Sequence, residues 1–226
     1  MCIRDSSRGV PPPIGPNGAQ QPLFDTNTGI SDERAFWETF AAKQNPVSLE
    51  DYQNSAAYKD GEVHRLRSEE GLSYLWTTRF DRQRTLIVEP QIGVVTSLGN
   101  IGVFGYVAGN DVWVEDWAGL SDPIGSRISL VQTPEGTYVR GRPGHEKFMP
   151  EYYTVARWTQ ANAGEPPELQ NARYLLACPD VAELLQATND PMTPGRFFSN
   201  IFKSPKFSAM RLPIDPALGI PEHCTG

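Results

Sequence analysis

Between Tyr74 and Val114 the chain repeatedly begins an apolar run and breaks it off within a few residues. Leu86-Ile87-Val88, Ile92-Gly93-Val94-Val95, Ile101-Gly102-Val103-Phe104-Gly105-Tyr106 and Val112-Trp113-Val114 are separated by turn residues. Runs so short, rich in β-branched side chains, predict strands of roughly three to six residues. Twenty glycines and twenty prolines among 226 residues, about 18% against a usual ~12%, extend this punctuation along the chain. Such a density excludes a coiled coil or a simple helix bundle, while the length suffices for one domain burying roughly 70% of its unfolded surface.

Helical signals flank this β region. Ser31-Asp32-Glu33 reads as a helix start, with Phe36, Trp37 and Phe40 at helical spacing as far as Lys43. Ser48-Leu49-Glu50-Asp51 reads as a capping box opening a second short helix toward Tyr58. Beyond the strands, a helix-length stretch follows Pro123 to Leu130, Thr137-Tyr138-Val139-Arg140 alternates like a strand, and prolines open helices over 167–177, 179–186 and 194–202. The expected fold is a single α/β or α+β domain over residues 31–226, with a central sheet of short strands, flanking helices and an irregular C-terminal tail. Residues 1–30 stand apart. Met1-Cys2-Ile3-Arg4-Asp5-Ser6 reads as a translated adapter scar, and the polyproline-like run at 10–18 belongs to a disordered linker.

Twenty basic residues against 27 acidic ones give a net charge of −7, which makes nucleic acid and anionic membrane surfaces poor partners. The longest nearly uncharged stretch, 92–108, is cut by Gly93, Gly99, Gly102 and Gly105 and carries Thr96, Ser97 and Asn100, so it does not read as a membrane span. The first ten residues lack the apolar core of a signal peptide, and the natural protein is expected to begin further upstream. Setting Cys2 aside with the scar leaves Cys178 and Cys224. They read either as a disulfide of an exported domain or as two buried thiols, and their spacing suits no metal site or CxxC redox pair.

The densest polar cluster runs from Gly105 to Pro123. With Val112 and Val114 facing the core, Trp113 and Glu115 face the other side and Asp116 lies at the strand end, where open sheets present ligands. Asp116 and Asp122 can serve as sugar-hydroxyl acceptors or acid–base groups, or as turn residues accepting local backbone N–H groups. Trp113 and Trp117 can stack on a sugar ring or pack as core and rim. Arg140-Gly141-Arg142-Pro143-Gly144-His145-Glu146 forms a second cluster, able to bind a phosphate or to pair with Asp116 and Asp122 in a structural network. His145-Glu146 is no zinc-protease motif, because Met149 stands where a second histidine is needed. Gly99, Gly102 and Gly105 match no phosphate-binding loop and read as close packing in a sheet. No metal or cofactor is expected, and His64, beside Arg65 and Arg67, reads as exposed.

The pattern Gly105-Tyr106-x-Ala108-Gly109-x-x-Val112-x-Val114-x-Asp116-x-x-Gly119-Leu120-x-Asp122-Pro123, then Arg142-x-Gly144-His145 and Pro150-x-Tyr152, resembles the C-terminal extracytoplasmic domain of actinobacterial cell-wall glycosyltransferases of the GT-C type. Within that group it is most similar to the terminal β-(1→2)-arabinofuranosyltransferases. The resemblance is specific over 100–155, loose over 165–226 and slight before 85, and Glu115 and Trp117 flank Asp116 where more aliphatic neighbours are expected. It implies a fragment lacking the transmembrane domain that binds a polyprenyl-phosphate-linked arabinose donor and carries the catalytic carboxylate. No catalytic residue is then expected in this chain. Trp113, Asp116, Trp117, Asp122, Arg142 and His145 become candidates for contacting a cell-wall glycan such as arabinan. The implied location is the extracytoplasmic face of the membrane, the implied partner is the protein's own missing transmembrane domain, and export favours a Cys178–Cys224 disulfide. Two other classes remain open: a free-standing carbohydrate-binding module, and a soluble hydrolase built on Asp116, Asp122, His145 and Glu146.

Overall fold

The computed structural model describes residues 34–79, 82–99, 101–131, 134 and 147–224. The N-terminal scar and linker, the helix start at 31–33, the strand expected at 137–140, and Arg142, His145 and Glu146 lie outside the described residues.

Four strands form one mixed sheet in the order β2-β1-β3-β4: β1 (Tyr74–Arg79), β2 (Arg82–Ile87), β3 (Val94–Leu98) and β4 (Val112–Asp116). β1 and β2 are antiparallel, whereas β1, β3 and β4 run parallel. The α/β expectation is therefore met. Before the sheet come α1 (Arg34–Ala41) and α2 (Ala56–Glu69). Between them Asp51 accepts from the backbone N–H groups of Val47 and Ser48 at the expected box, but it opens only a short 3₁₀ turn, Leu49–Tyr52. The helix foreseen toward Tyr58 begins later and runs to Glu69, with Ser55 as its cap.

One segment changes type. Ile101–Tyr106, expected as a strand, lies in helix α3 (Ile101–Ala108), which links the parallel strands β3 and β4. Ile101, Phe104 and Ala108 recur at helical spacing and pack on the sheet with Tyr74, Val94, Leu98 and Val112. Tertiary burial overrides the β-prone composition here. Gly102 and Gly105 consequently sit on a helix rather than in a sheet, and Gly99 lies under the Trp117 ring, where a Cβ would come within 3.0 Å. The closest approach on this face was not foreseen: a Cβ on Gly61 of α2 would lie 2.9 Å from the Phe104 carbonyl oxygen.

Parallel pairing aligns side chains into rows across the sheet. Tyr74, Val94 and Val112 share the α2/α3 face; Leu75, Val95 and Trp113 share the opposite one. One step along, Thr77, Ser97 and Glu115 form a buried polar row on that opposite face. Helix α4 (Glu151–Trp158) supplies partners to this face. Glu151 accepts from Thr77 Oγ1 at 3.2 Å and pairs with Arg84 at 2.5 Å, and Trp158 packs against Trp113.

A second core gathers Ile124, Ile128, Met149 and Tyr153 with α5 (Pro167–Ala177), α6 (Pro179–Asn189), α7 (Pro194–Ala209) and α8 (Ile220–His223). The three proline-opened helices start where the sequence places them, and α6 and α7 run further than expected. Cys178 ends α5 and precedes Pro179, whose ring drives its predecessor out of helical geometry (ψ 144°) and turns the chain into α6. A disulfide joins Cys178 to Cys224 with Cα atoms 4.7 Å apart, fixing the tail to this corner. Closing its loop stabilises the fold by roughly 4 kcal/mol in the chain-entropy model. The tail is more regular than expected, since it holds α8 and a 3₁₀ turn at Pro216–Leu218. The stretch after Pro123 forms only the short 3₁₀ turn Gly125–Arg127.

His64 is buried, contrary to the reading from its charged neighbours. It lies 3% exposed, with Nδ1 2.6 Å from the Tyr74 hydroxyl and its ring against Trp76 and Phe104. Helical phase directs it inward while Arg65 and Arg67 are less enclosed. Burial, aided by the Arg67 charge, holds its pKa down to about 4. The unfolded chain takes up a proton near pH 6.5, so stability due to neutral His64 is complete above that pH and is lost as pH falls toward 4. Urea midpoints should therefore fall over this window, with a shallower fall in His64→Gln; parallel curves for the two proteins would contradict the assignment.

Candidate functional site

The sheet ends in a turn organised by two carboxylates. Asp116, the last residue of β4, accepts from the backbone N–H groups of Ala118 (2.9 Å), Leu120 (2.8 Å) and Ser121 (3.0 Å). Asp122 Oδ1 accepts from Ile124 and Gly125, both at 2.8 Å. Both aspartates are buried, and these hydrogen bonds are those of the turn-forming reading. Gly119 allows the turn to close: its φ is +81°, and a Cβ there would meet the Gly125 carbonyl oxygen at 2.7 Å. The chain that follows the second cluster returns to this turn, since the N–H groups of Lys147 and Met149 donate to the carbonyls of Ala118 and Trp117 at 2.8 Å.

The partner of the turn is Arg157, which the sequence reading missed. Its Nη1 lies 2.8 Å from Asp122 Oδ2 and 3.6 Å from Glu115 Oε1, and Nη2 donates to Asn189 at 3.1 Å. The guanidinium also lies over two indoles, 4.6 Å from the Trp158 ring centre and 5.3 Å from that of Trp113. Glu115 accepts from Trp158 Nε1 at 3.1 Å. Burial and the neighbouring Asp122 raise its pKa, against the opposing pull of Arg157. Thr154 adds a weak pull toward the charged form, yet neither its hydroxyl nor Glu115 Oε2 meets hydrogen-bond geometry. No local pattern in the sequence marks Arg157 or its distant partners, and no helix is expected over 151–158, where α4 lies.

The two tryptophans go to different neighbours. Trp117 donates to the Thr78 carbonyl at 2.7 Å and packs on Phe148, whereas Trp113 packs on Trp158. Trp113 also lines a cleft of about 260 Å³ with Val114, Ser121, Asp122, Pro123, Ser126, Arg127, Thr188 and Asn189. Of the candidates, Trp113 and Asp122 reach this cleft; Asp116 and Trp117 are not among its lining residues. The volume accommodates a single sugar ring and falls below the ~300–1,000 Å³ of larger ligand sites. Its polar lining offers hydroxyls from Ser121, Ser126 and Thr188 and an amide from Asn189. Among the described residues no group of His, Cys, Asp and Glu side chains could hold a metal ion.

Breaking the buried network has an asymmetric cost. Arg157→Met leaves Asp122 without its cation and should lower unfolding stability by about 3–5 kcal/mol, whereas Glu115→Gln, which removes a carboxyl whose charged form burial disfavours, should cost less. Urea unfolding near neutral pH checks the ranking; a Glu115→Gln loss equal to that of Arg157→Met would contradict it.

A terminal beta-(1->2)-arabinofuranosyltransferase of Mycobacterium tuberculosis is 23% identical over 207 residues, which covers 83% of this chain and 32% of the relative. One of Corynebacterium glutamicum with the same name is 30% identical over 207 residues, covering 77% of this chain and 28% of the relative. The chain thus spans about a third or less of the length of these curated relatives. No solved structure matches. The family model described as the AftB family C-terminal domain matches residues 38–215, reaching well before residue 85, where the sequence reading saw little resemblance. On that coverage, well over half of its length, the chain belongs to the AftB family C-terminal domain.

Proposed function

We propose that this chain is the C-terminal domain of a membrane-embedded, polyprenyl-phosphate-dependent cell-wall arabinofuranosyltransferase. The domain lies on the extracytoplasmic face, caps the membrane domain and positions the glycan acceptor. The family match and the two arabinofuranosyltransferase relatives support the enzyme class. The Cys178–Cys224 disulfide supports an oxidising compartment. Catalysis belongs to the remainder of the protein. In this chain Asp116 is engaged by its turn, and the one carboxyl with a raised pKa in the network, Glu115, is 1% exposed. That arrangement supports binding over the acid–base chemistry of a hydrolase.

The observation that carries the reading is the cleft beside Trp113. An arabinofuranosyl residue presents an apolar ring face and several hydroxyls. Trp113 offers a flat surface held from behind by Arg157 and Trp158, and Ser121, Thr188 and Asn189 offer donors and acceptors around it. Because the wall is fixed by a buried ion pair, little ordering accompanies binding. Arg142 and His145 remain candidates for the same glycan. Holding an acceptor in register speeds a transfer whose catalytic group lies on another domain.

Titration of the purified chain with arabinofuranose oligosaccharides should quench tryptophan fluorescence in the millimolar range. Thr188→Ala and Trp113→Phe should weaken binding about fivefold or more, and Trp117→Phe should leave it unchanged. The chain alone should transfer no arabinose from a polyprenyl-phosphate donor. A flat titration at millimolar sugar, or turnover by the isolated chain, would overturn the reading.

A further inference from the structure

Helix α7 leaves most of its large apolar side chains in solvent. Phe197, Phe198, Ile201 and Phe202 recur at one-, three- and four-residue steps, lie on one side, and are 51%, 59%, 50% and 82% exposed. Met192, just before the helix, is 62% exposed. The one buried side chain of α7, Phe207, joins the second core, and polar groups flank it on that side. Arg196 pairs with Asp190, Lys203 with Glu183, and Lys206 with both Asp180 and Glu183, while Asn200 donates to the Ala187 carbonyl. The helix is nonetheless well built. Thr193 caps it, and Ser204 Oγ donates to the Ile201 carbonyl at 2.8 Å, satisfying the acceptor that Pro205 cannot serve.

We infer that this face of α7 docks into the interfacial layer of a lipid bilayer, an inference that rests on the membrane-anchored reading above. Three observations select lipid over other occupants. First, the four α7 side chains expose roughly 500 Å² of apolar surface, within the range of functional patches but below the ~800 Å² that each partner of a stable protein interface buries. A second copy of the chain is therefore too weakly held by this face alone. Second, the face itself carries no charge, and the cations behind it are already matched by Asp180, Glu183 and Asp190. With a net charge of −7, the chain complements neither an anionic nor a strongly acidic partner, whereas an uncharged hydrocarbon boundary requires no complement. Third, the relatives extend to about three times the length aligned here, and on the membrane-anchored reading the domain lies beside a bilayer.

Sixteen residues with three cations cannot span a bilayer, and among the described residues no helix is long and apolar enough to do so. The helix lies along the surface. Its packed side is tied to the last turn of α6, where Arg196 donates to the Gln186 carbonyl and Thr188 and Asn189 line the cleft. Docking thereby sets the height and tilt of the cleft over the membrane.

Flotation of the full chain with phosphatidylcholine vesicles tests this. The wild type should float with the vesicles, binding should survive high salt, and Phe198→Ser with Phe202→Ser should lower the bound fraction at least tenfold while leaving far-UV circular dichroism and Tm unchanged. Absence of the wild type from the vesicle fraction overturns the inference. So does binding that requires anionic lipid and vanishes in salt, or concentration-dependent dimerisation abolished by the same double substitution. Arabinofuranose titration of the wild type separates the two readings: sugar binding without vesicle binding refutes the docking face alone, and vesicle binding without sugar binding refutes the cleft alone.

Discussion

A single guanidinium holds the two halves of this domain together. Arg157 projects from α4 between the end of β4 and the C-terminus of α6, pairing with Asp122, approaching Glu115 and donating to Asn189. A lone charge at 5% side-chain exposure is not tolerable in a protein interior, so the carboxylates, indoles and amide around it are mutually required. Asp122 is fixed in turn by two backbone N–H groups, and Trp113 by the arginine and Trp158. The cleft wall is thus the outer surface of a buried electrostatic lock.

Further ties reinforce the same junction. Arg173 donates to the carbonyls of Ala156 and Gln160 at 2.9 Å and pairs with Glu165, closing the C-terminal end of α4 over α5. Arg127 donates to the Phe207 carbonyl at 2.7 Å, and Ile128 bridges to Leu212, so the turn after Asp122 is bound to the end of α7. Arginine serves both places because its planar fork meets several carbonyls at once. The cleft beside Trp113 and the exposed face of α7 are consequently parts of one stiff body, as the proposed positioning of an acceptor requires.

How much of this was legible depended on whether the cause was local. Pro167, Pro179 and Pro194 mark the starts of α5, α6 and α7 because proline at the first turn acts within a few residues. The strand at Val112 and the position of Asp116 at its end followed from alternation. Ile101–Ala108 was misread because glycine and β-branched residues argue against helix locally, while the spacing of Ile101, Phe104 and Ala108 and their burial on the sheet decide otherwise. His64 was misread for the same reason, its neighbours in sequence not being its neighbours in space. Arg157 was invisible because its partners lie 35 and 42 residues before it and 32 after, distances no sequence period connects.

In the proposed function a glycan sits against Trp113. Amide and indole chemical-shift mapping of the isotope-labelled chain with an arabinofuranose oligosaccharide reads this directly. The largest changes should fall on the Trp113 indole, Ser121, Thr188 and Asn189, with Trp117 and the exposed face of α7 unmoved. Changes centred on Trp117, changes on α7 alone, or none at saturating sugar would contradict the cleft as the acceptor site.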